Sequence, residues 1–164
     1  MKNIRHCLLV VLGIFLFSGC AVKEYRTSEP KLVTLKTKLL RFNDVGFIRR
    51  AGDAVQAELF SAGQAVERIE VNHLVCVTAG CMGKSAFNTD YLYAGYPDDL
   101  LQNVLTGRPV FGGAGRVATA DGFEQQLAGE GYDILYRVGA GQISFKDRAN
   151  NILIRIRDLP ETRQ

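Results

Sequence analysis

The chain has 164 residues, of which 20 are basic and 17 acidic, with four cysteines and two histidines. That is one domain's length, enough to bury a core. Near-balanced charge without a Lys/Arg-rich run excludes nucleic acid as a natural partner. So few histidines, and no HExxH, GxSxG or EF-hand loop, leave little from which to build a metal centre or a nucleophile–base pair, so no enzyme activity, metal or cofactor is expected.

The first segment sets the compartment. Lys2 and Arg5 precede an apolar run from Cys7 to Phe17, and Ser18-Gly19 then leads into Cys20. A basic start, an apolar stretch too short to span a bilayer comfortably and a small-residue cut mark a signal peptide over residues 1–19. With a cysteine at the cut, Leu16-Phe17-Ser18-Gly19-Cys20 resembles the lipobox of bacterial lipoproteins, although Phe17 stands where leucine is usual. The resemblance implies cleavage after Gly19 and a lipid on Cys20 that holds the protein to a membrane. Ala21 follows where an Asp would imply retention at the inner membrane in enteric-type bacteria, so the implied location is the outer membrane, facing the periplasm. Cleavage removes two of the 20 basic residues and no acidic one, leaving 18 against 17, a net charge of +1. Residues 20–31, polar and containing Pro30, read as a tether to a single domain over 32–164.

Cys7 leaves with the signal, and Cys20 carries the lipid. Cys76 and Cys81 remain, and an oxidising compartment favours a disulfide between them. The CxxxxC spacing differs from the CxxC of thioredoxin-like redox sites. His73, the one histidine after the signal, reads as a polar residue at a strand edge.

From Leu32 the chain reads as strands. Val33, Leu35, Thr37 and Leu39 alternate with polar residues, the period of a half-buried strand. Asn43-Asp44 reads as a turn before an extended run from Val45 to Arg50. Ala51-Gly52-Asp53 reads as a hairpin connection, and Ser61-Ala62-Gly63-Gln64 as another. Val55, Ala57 and Leu59, then Ile69 and Val71, alternate between and after these turns, followed by the apolar run Leu74 to Val77. Short loops of this kind join antiparallel neighbours.

The middle changes character. Gly83 to Tyr93 reads as a short helix or irregular structure. Pro97 suits a first helical position, Asp98 and Asp99 suit the positive end of a helix dipole, and Leu100, Leu101, Val104 and Leu105 form one apolar stripe. Gly107 suits a left-handed cap and Pro109 a stop. Gly112-Gly113-Ala114-Gly115 lacks the residues of a phosphate-binding loop and reads as flexible. Strands then return. Ile134, Tyr136 and Val138 share one face of Tyr132 to Val138, Gly139 to Gln142 turns, and Ile143 to Lys146 is extended. After a turn over Asp147 to Asn151, Ile152, Ile154 and Ile156 alternate with Leu153, Arg155 and Arg157. The expected architecture is mainly β in an α+β arrangement: a curved antiparallel sheet or unclosed β-barrel with short covering helices.

A lipobox, strand hairpins, a short helix ending Leu105-Thr106-Gly107-Arg108-Pro109, and the closing strands Gln142-Ile143-Ser144-Phe145 and Ile152-Leu153-Ile154-Arg155-Ile156 together resemble the LolA/LolB family. The likeness is one of pattern over most of residues 32–159. It implies an unclosed barrel lidded by helices, with a pocket for the acyl chains of lipoproteins delivered by a periplasmic carrier. The implied lining is Val33, Leu35, Leu39, Val55, Leu59 and Ile69 from the first strands, and Ile134, Tyr136, Ile152 and Ile154 from the last. Leu100, Leu101, Val104 and Leu105 would form the lid. The family's protruding loop, with its bulky leucine, falls near Ser61 to Gln64, where this chain has no leucine.

A second reading stays open. A non-catalytic accessory lipoprotein with a filled core would dock onto an envelope complex or the cell wall; under either reading a monomer is expected. Tyr91, Tyr93 and Tyr96 would then be the exposed anchors, since tyrosines concentrate at interfaces.

Overall fold

The computed structural model describes residues 30–160. The signal peptide, the lipidation site Cys20 and the tether as far as residue 29 lie outside the described residues. Six strands come first: β1 (Pro30–Lys36), β2 (Arg41–Ala51), β3 (Ala54–Ser61), β4 (Gln64–Val71), β5 (Val75–Val77) and β6 (Gly80–Met82). Two helices follow, α1 (Lys84–Tyr91) and α2 (Leu100–Thr106), and then a 3-10 turn at Phe111–Gly113. The chain ends with β7 (Arg116–Ala118), β8 (Phe123–Gly129), β9 (Tyr132–Gly139), β10 (Gln142–Asp147) and β11 (Ile152–Asp158).

All eleven strands form one antiparallel sheet in the order β6-β5-β4-β3-β2-β1-β11-β10-β9-β8-β7. The first and last strands pair in its middle, and the short edge strands β6 and β7 remain unpaired with each other. The helices lie in the chain between those two edges. Helix α2 packs against both β3 and β10, which are separated in the sheet by β2, β1 and β11. One short helix touches both only because the sheet curls around it. The architecture is therefore an unclosed, curled sheet with helices on its concave side.

Period-two patterning decides which face is which. Val33 and Leu35 on β1, Val55, Ala57 and Leu59 on β3, and Ile152, Ile154 and Ile156 on β11 all point into one apolar core. The α2 stripe Leu100, Leu101, Val104 and Leu105 completes it. Gly107 ends α2 in the left-handed conformation, φ 69°, as the sequence implies. The two hairpin turns at Gly52-Asp53 and Ala62-Gly63 fall where the sequence places them.

Several elements differ from the sequence reading. Pro30 and Lys31 belong to β1, so the folded domain begins two residues earlier than expected. Asn43 and Asp44 lie inside β2. The turn comes earlier, over Thr37–Leu40, where the Thr37 N–H donates to the Leu40 carbonyl and the Thr37 hydroxyl accepts the Leu40 N–H. That turn ends the alternation, and Leu39 is exposed at 65% instead of inward. Helix α2 starts at Leu100, after a turn in which the Leu100 N–H reaches the Pro97 carbonyl, so Pro97 precedes the helix. Phe111–Gly113 is a 3-10 turn where a flexible loop is expected, closed by the Gly113 N–H on the Val110 carbonyl. Strands β7 and β8 have no counterpart in the sequence reading.

Candidate binding groove

The curled sheet has two ends, and the side chains close them differently. At one end the β1–β2 turn docks on α1, with the Lys38 N–H on the Tyr91 carbonyl and Lys38 Nζ on the Thr89 carbonyl, 3.2 and 2.8 Å. Tyr96 fills the same end and donates its hydroxyl to Asp147 in the β10–β11 turn. The opposite end carries the start of β1, the ends of β2, β9 and β11, and the start of β10.

A cavity of about 660 Å³ opens at this second end, within the roughly 300–1,000 Å³ of small-ligand sites. Its apolar walls are Ile48, Leu105, Val138, Ile143 and Ile156. Its floor is the C-terminus of α2, Thr106 and Gly107. A Cβ on Gly107 would sit 3.3 Å from Ile143 and 3.4 Å from Val138, so glycine lets the helix end settle against the groove wall. Tyr136 anchors that end from below, its hydroxyl donating to the Arg108 carbonyl at 3.0 Å, and burial pushes its phenol pKa up.

The rim is charged. Arg50 donates one N–H to the Thr106 carbonyl at 2.9 Å, which sets a cation at the negative end of the helix. Lys31 meets Asp158 at 2.6 Å, and the Asp158 N–H bonds the Gly141 carbonyl at 2.8 Å. An apolar trough edged by Lys31, Asp158 and Arg50 suits an amphiphile with a polar head.

The residues expected to line an acyl pocket mostly lie elsewhere. Val33, Leu35, Val55, Leu59, Ile69, Leu100, Leu101, Val104, Leu105, Ile134, Tyr136, Ile152 and Ile154 are all buried in the one core, where the sheet and α2 pack onto each other. Of these only Leu105 reaches the groove. Leu39 reaches neither. The groove walls Ile48, Val138, Ile143 and Ile156 were not among the expected lining. The signal that finds them is the same alternation carried to the strand ends: Ile156 continues Ile152 and Ile154, and Val138 continues Ile134 and Tyr136.

The three tyrosines expected at an exposed docking site are packed inward. Tyr91 stacks on Phe87 with ring centroids 4.5 Å apart. Tyr96 meets Tyr93, Phe145 and Phe111 edge to face. Tyr93 is half-buried and donates its hydroxyl to the Glu130 carbonyl at 3.1 Å. Their size and their position beside α2 place them in the sheet's closed end.

Cys76 and Cys81 form a disulfide across the β5–β6 hairpin, where they are direct partners. His73 is exposed in the turn between β4 and β5. Asp98 and Asp99, at the start of α2, accept hydrogen bonds from the Ser85 hydroxyl and Asn103 Nδ2, both at 2.8 Å. No protein-family model, curated protein or solved structure matches this chain.

Proposed function

We propose that this chain is an outer-membrane lipoprotein, held by a lipid on Cys20 and facing the periplasm, whose domain binds the acyl chains of lipoproteins in the manner of the LolA/LolB family. The observation that carries the reading is the position of the groove. Lys31, the second residue of β1, forms part of its rim, so the tether joins the domain beside the open trough. An acyl chain leaving or entering a membrane would meet the groove next to the anchor. The unclosed sheet with helices on its concave side accords with the family pattern.

The reading places the ligand at the mouth and not under the α2 stripe. The test is transfer of an acylated lipoprotein from a periplasmic carrier to the chain from residue 20 onward bearing Cys20→Ser, with a non-acylated cargo as control. Acyl-dependent transfer that is lost in Ile143→Glu supports it. No transfer to a folded protein refutes it.

The filled core favours a second reading, an accessory lipoprotein that docks to an envelope complex or the cell wall. Under it the groove variant transfers no less than the parent, and crosslinking in cells recovers one protein or the wall polymer.

A further inference from the structure

The convex face of the sheet carries a band of cations, most of them without a carboxylate partner among the described residues. On the four adjacent strands β2, β1, β11 and β10, the positions alternating with the buried ones hold Arg41, Lys36, Arg155, Arg157 and Lys146, besides Arg49. No acidic residue occupies an outward position on these four strands. The flanking strands are different. There Glu58 on β3 pairs with Arg68 at 2.7 Å and also takes up Arg49 of β2 at 2.5 Å, and Glu124 pairs with Arg137 at 2.5 Å. Among the described residues Arg41, Lys146, Arg155 and Arg157 have no carboxylate partner, and Lys36 reaches only the Asn151 side-chain oxygen.

This arrangement works against folding. Lys36 and Arg41 are direct cross-strand partners, and like charges placed opposite each other destabilise a sheet. Arg155 keeps its Nε buried without a hydrogen-bond partner, a further cost. Apolar side chains sit between the cations on the same face: Leu32, Val45 and Leu153, each half-buried. Cations interleaved with aliphatic groups match a lipid–water interface, where the charges meet phosphates and the apolar groups sink to the headgroup boundary.

We infer that the outward face of β2-β1-β11-β10 is a contact surface for a bilayer bearing anionic headgroups. β1 lies in the middle of this stripe and is the strand that the tether joins. An anchored domain would therefore meet the bilayer with this face without turning over. The choice of a bilayer over a soluble polyanion rests partly on the lipid-anchored reading of Cys20 and partly on the interleaved aliphatic groups. The contact is separate from the groove, and binding at either can fail alone.

The test uses the chain from residue 20 onward with Cys20→Ser, so that no lipid contributes, and cosedimentation with vesicles. Phosphatidylcholine vesicles with about 30% phosphatidylglycerol are compared with pure phosphatidylcholine, in low salt and in about 0.3 M salt. Binding is expected only to the anionic vesicles and only in low salt. Arg41→Gln, Lys146→Gln and Arg157→Gln together remove three exposed cations whose side chains make no hydrogen bond among the described residues. Roughly fivefold per cation gives a loss of about a hundredfold. Arg116→Gln, at the far edge of the sheet, should change binding by no more than about twofold. No binding to anionic vesicles, equal binding to neutral ones, or an unchanged triple variant overturns the inference. Tighter binding to a soluble sulfated polysaccharide than to the vesicles also overturns it, in favour of a glycan. Mass measurement of the chain made in cells reports lipidation of Cys20 separately, so loss of the anchor and loss of this contact are distinguishable.

Discussion

Tyr96 and Asp147, 51 residues apart, meet at the closed end of the curled sheet, hydroxyl to carboxylate, both shielded from solvent. Asp147 is fully buried and accepts more than the tyrosine. The backbone N–H groups of Asp133 and Ala149 reach one oxygen at 3.1 and 2.9 Å, and Asn150 Nδ2 reaches the other at 2.7 Å. Burial alone would raise its pKa. The hydrogen bonds from Tyr96, from Asn150 and from the backbone outweigh it and hold the carboxyl below its ordinary value, while burial beside that carboxylate pushes the Tyr96 phenol up. One side chain thus ties the β9–β10 pair, the β10–β11 turn and the segment before α2 together.

The consequence for acid stability has a definite sign. A depressed folded pKa means that Asp147 contributes its full stabilisation above about pH 4, the unfolded value, and loses it as pH falls through the folded value. Asp147→Asn should cost about 1.5–3 kcal/mol at pH 7, the range for hydrogen bonds to a charged group. The gap between variant and parent should narrow below about pH 4. Urea melts across pH 2–8 measure both, and a gap independent of pH would show that the carboxylate's charge is not what matters.

A second internal polar anchor lies at Gln125 on β8. It is fully buried, accepts the Val110 N–H at 2.9 Å and donates to the Val110 and Ala114 carbonyls at 3.0 and 2.6 Å. It satisfies the backbone of the loop that carries the chain from α2 back to the sheet. Gln125→Leu keeps the volume and orphans two backbone groups, the Val110 N–H and the Ala114 carbonyl, while the Val110 carbonyl keeps the Gly113 N–H. The expected cost is about 2–4 kcal/mol, since each buried unpaired group costs on the order of 1–3. Amide exchange should quicken first over residues 110–115, and uniform destabilisation with no local change there would contradict this role.

Gln125 also explains what the sequence hid. β8 turns Phe123, Gln125 and Leu127 inward, and a glutamine at the centre of the buried face hides its period of two. β7 is three residues long, all exposed, and has no buried face to read. By contrast, the Ile152, Ile154, Ile156 run and the α2 stripe were legible because one face of each is wholly apolar. Alternation also predicted Leu39 inward, but the strand ends before it, and periodicity carries no signal for where pairing stops. The groove escaped for a related reason. The period is the same for a core residue and a mouth residue, and only the curl of the sheet leaves Ile154 buried and Ile143 half-buried at the groove.

The Cys76–Cys81 disulfide closes a small loop at the edge of the sheet. In the chain-entropy account a loop this short contributes only about 2 kcal/mol. Cys76→Ser with Cys81→Ser should therefore lower stability by no more than that. Hydrogen exchange should rise over 75–82, with β1, β10 and β11 unchanged. Loss of the whole fold would place the bridge at the centre of folding and not at an edge.

Two substitutions on apolar residues separate the core from the groove. Leu101 is 3% exposed and packed between the sheet and α2. Leu101→Glu removes a buried aliphatic side chain and sets a carboxylate in its place, at a cost of at least about 4 kcal/mol. That is most of a small domain's stability, so the variant should unfold, and any loss of acyl binding with it says nothing about a pocket. Ile143 is half-buried at the groove wall, with the charged rim of Lys31 and Arg50 on the same cavity. Its strand neighbour Phe145 holds the core contact instead. Ile143→Glu leaves its carboxylate within reach of water and should cost only about 1–2 kcal/mol, while placing a charge where an acyl chain would lie. Thermal melts with acyl-chain binding on both proteins should give an unfolded Leu101 variant and a folded, non-binding Ile143 variant. A folded Ile143 variant that binds acyl chains as the parent does would remove the groove as the ligand site.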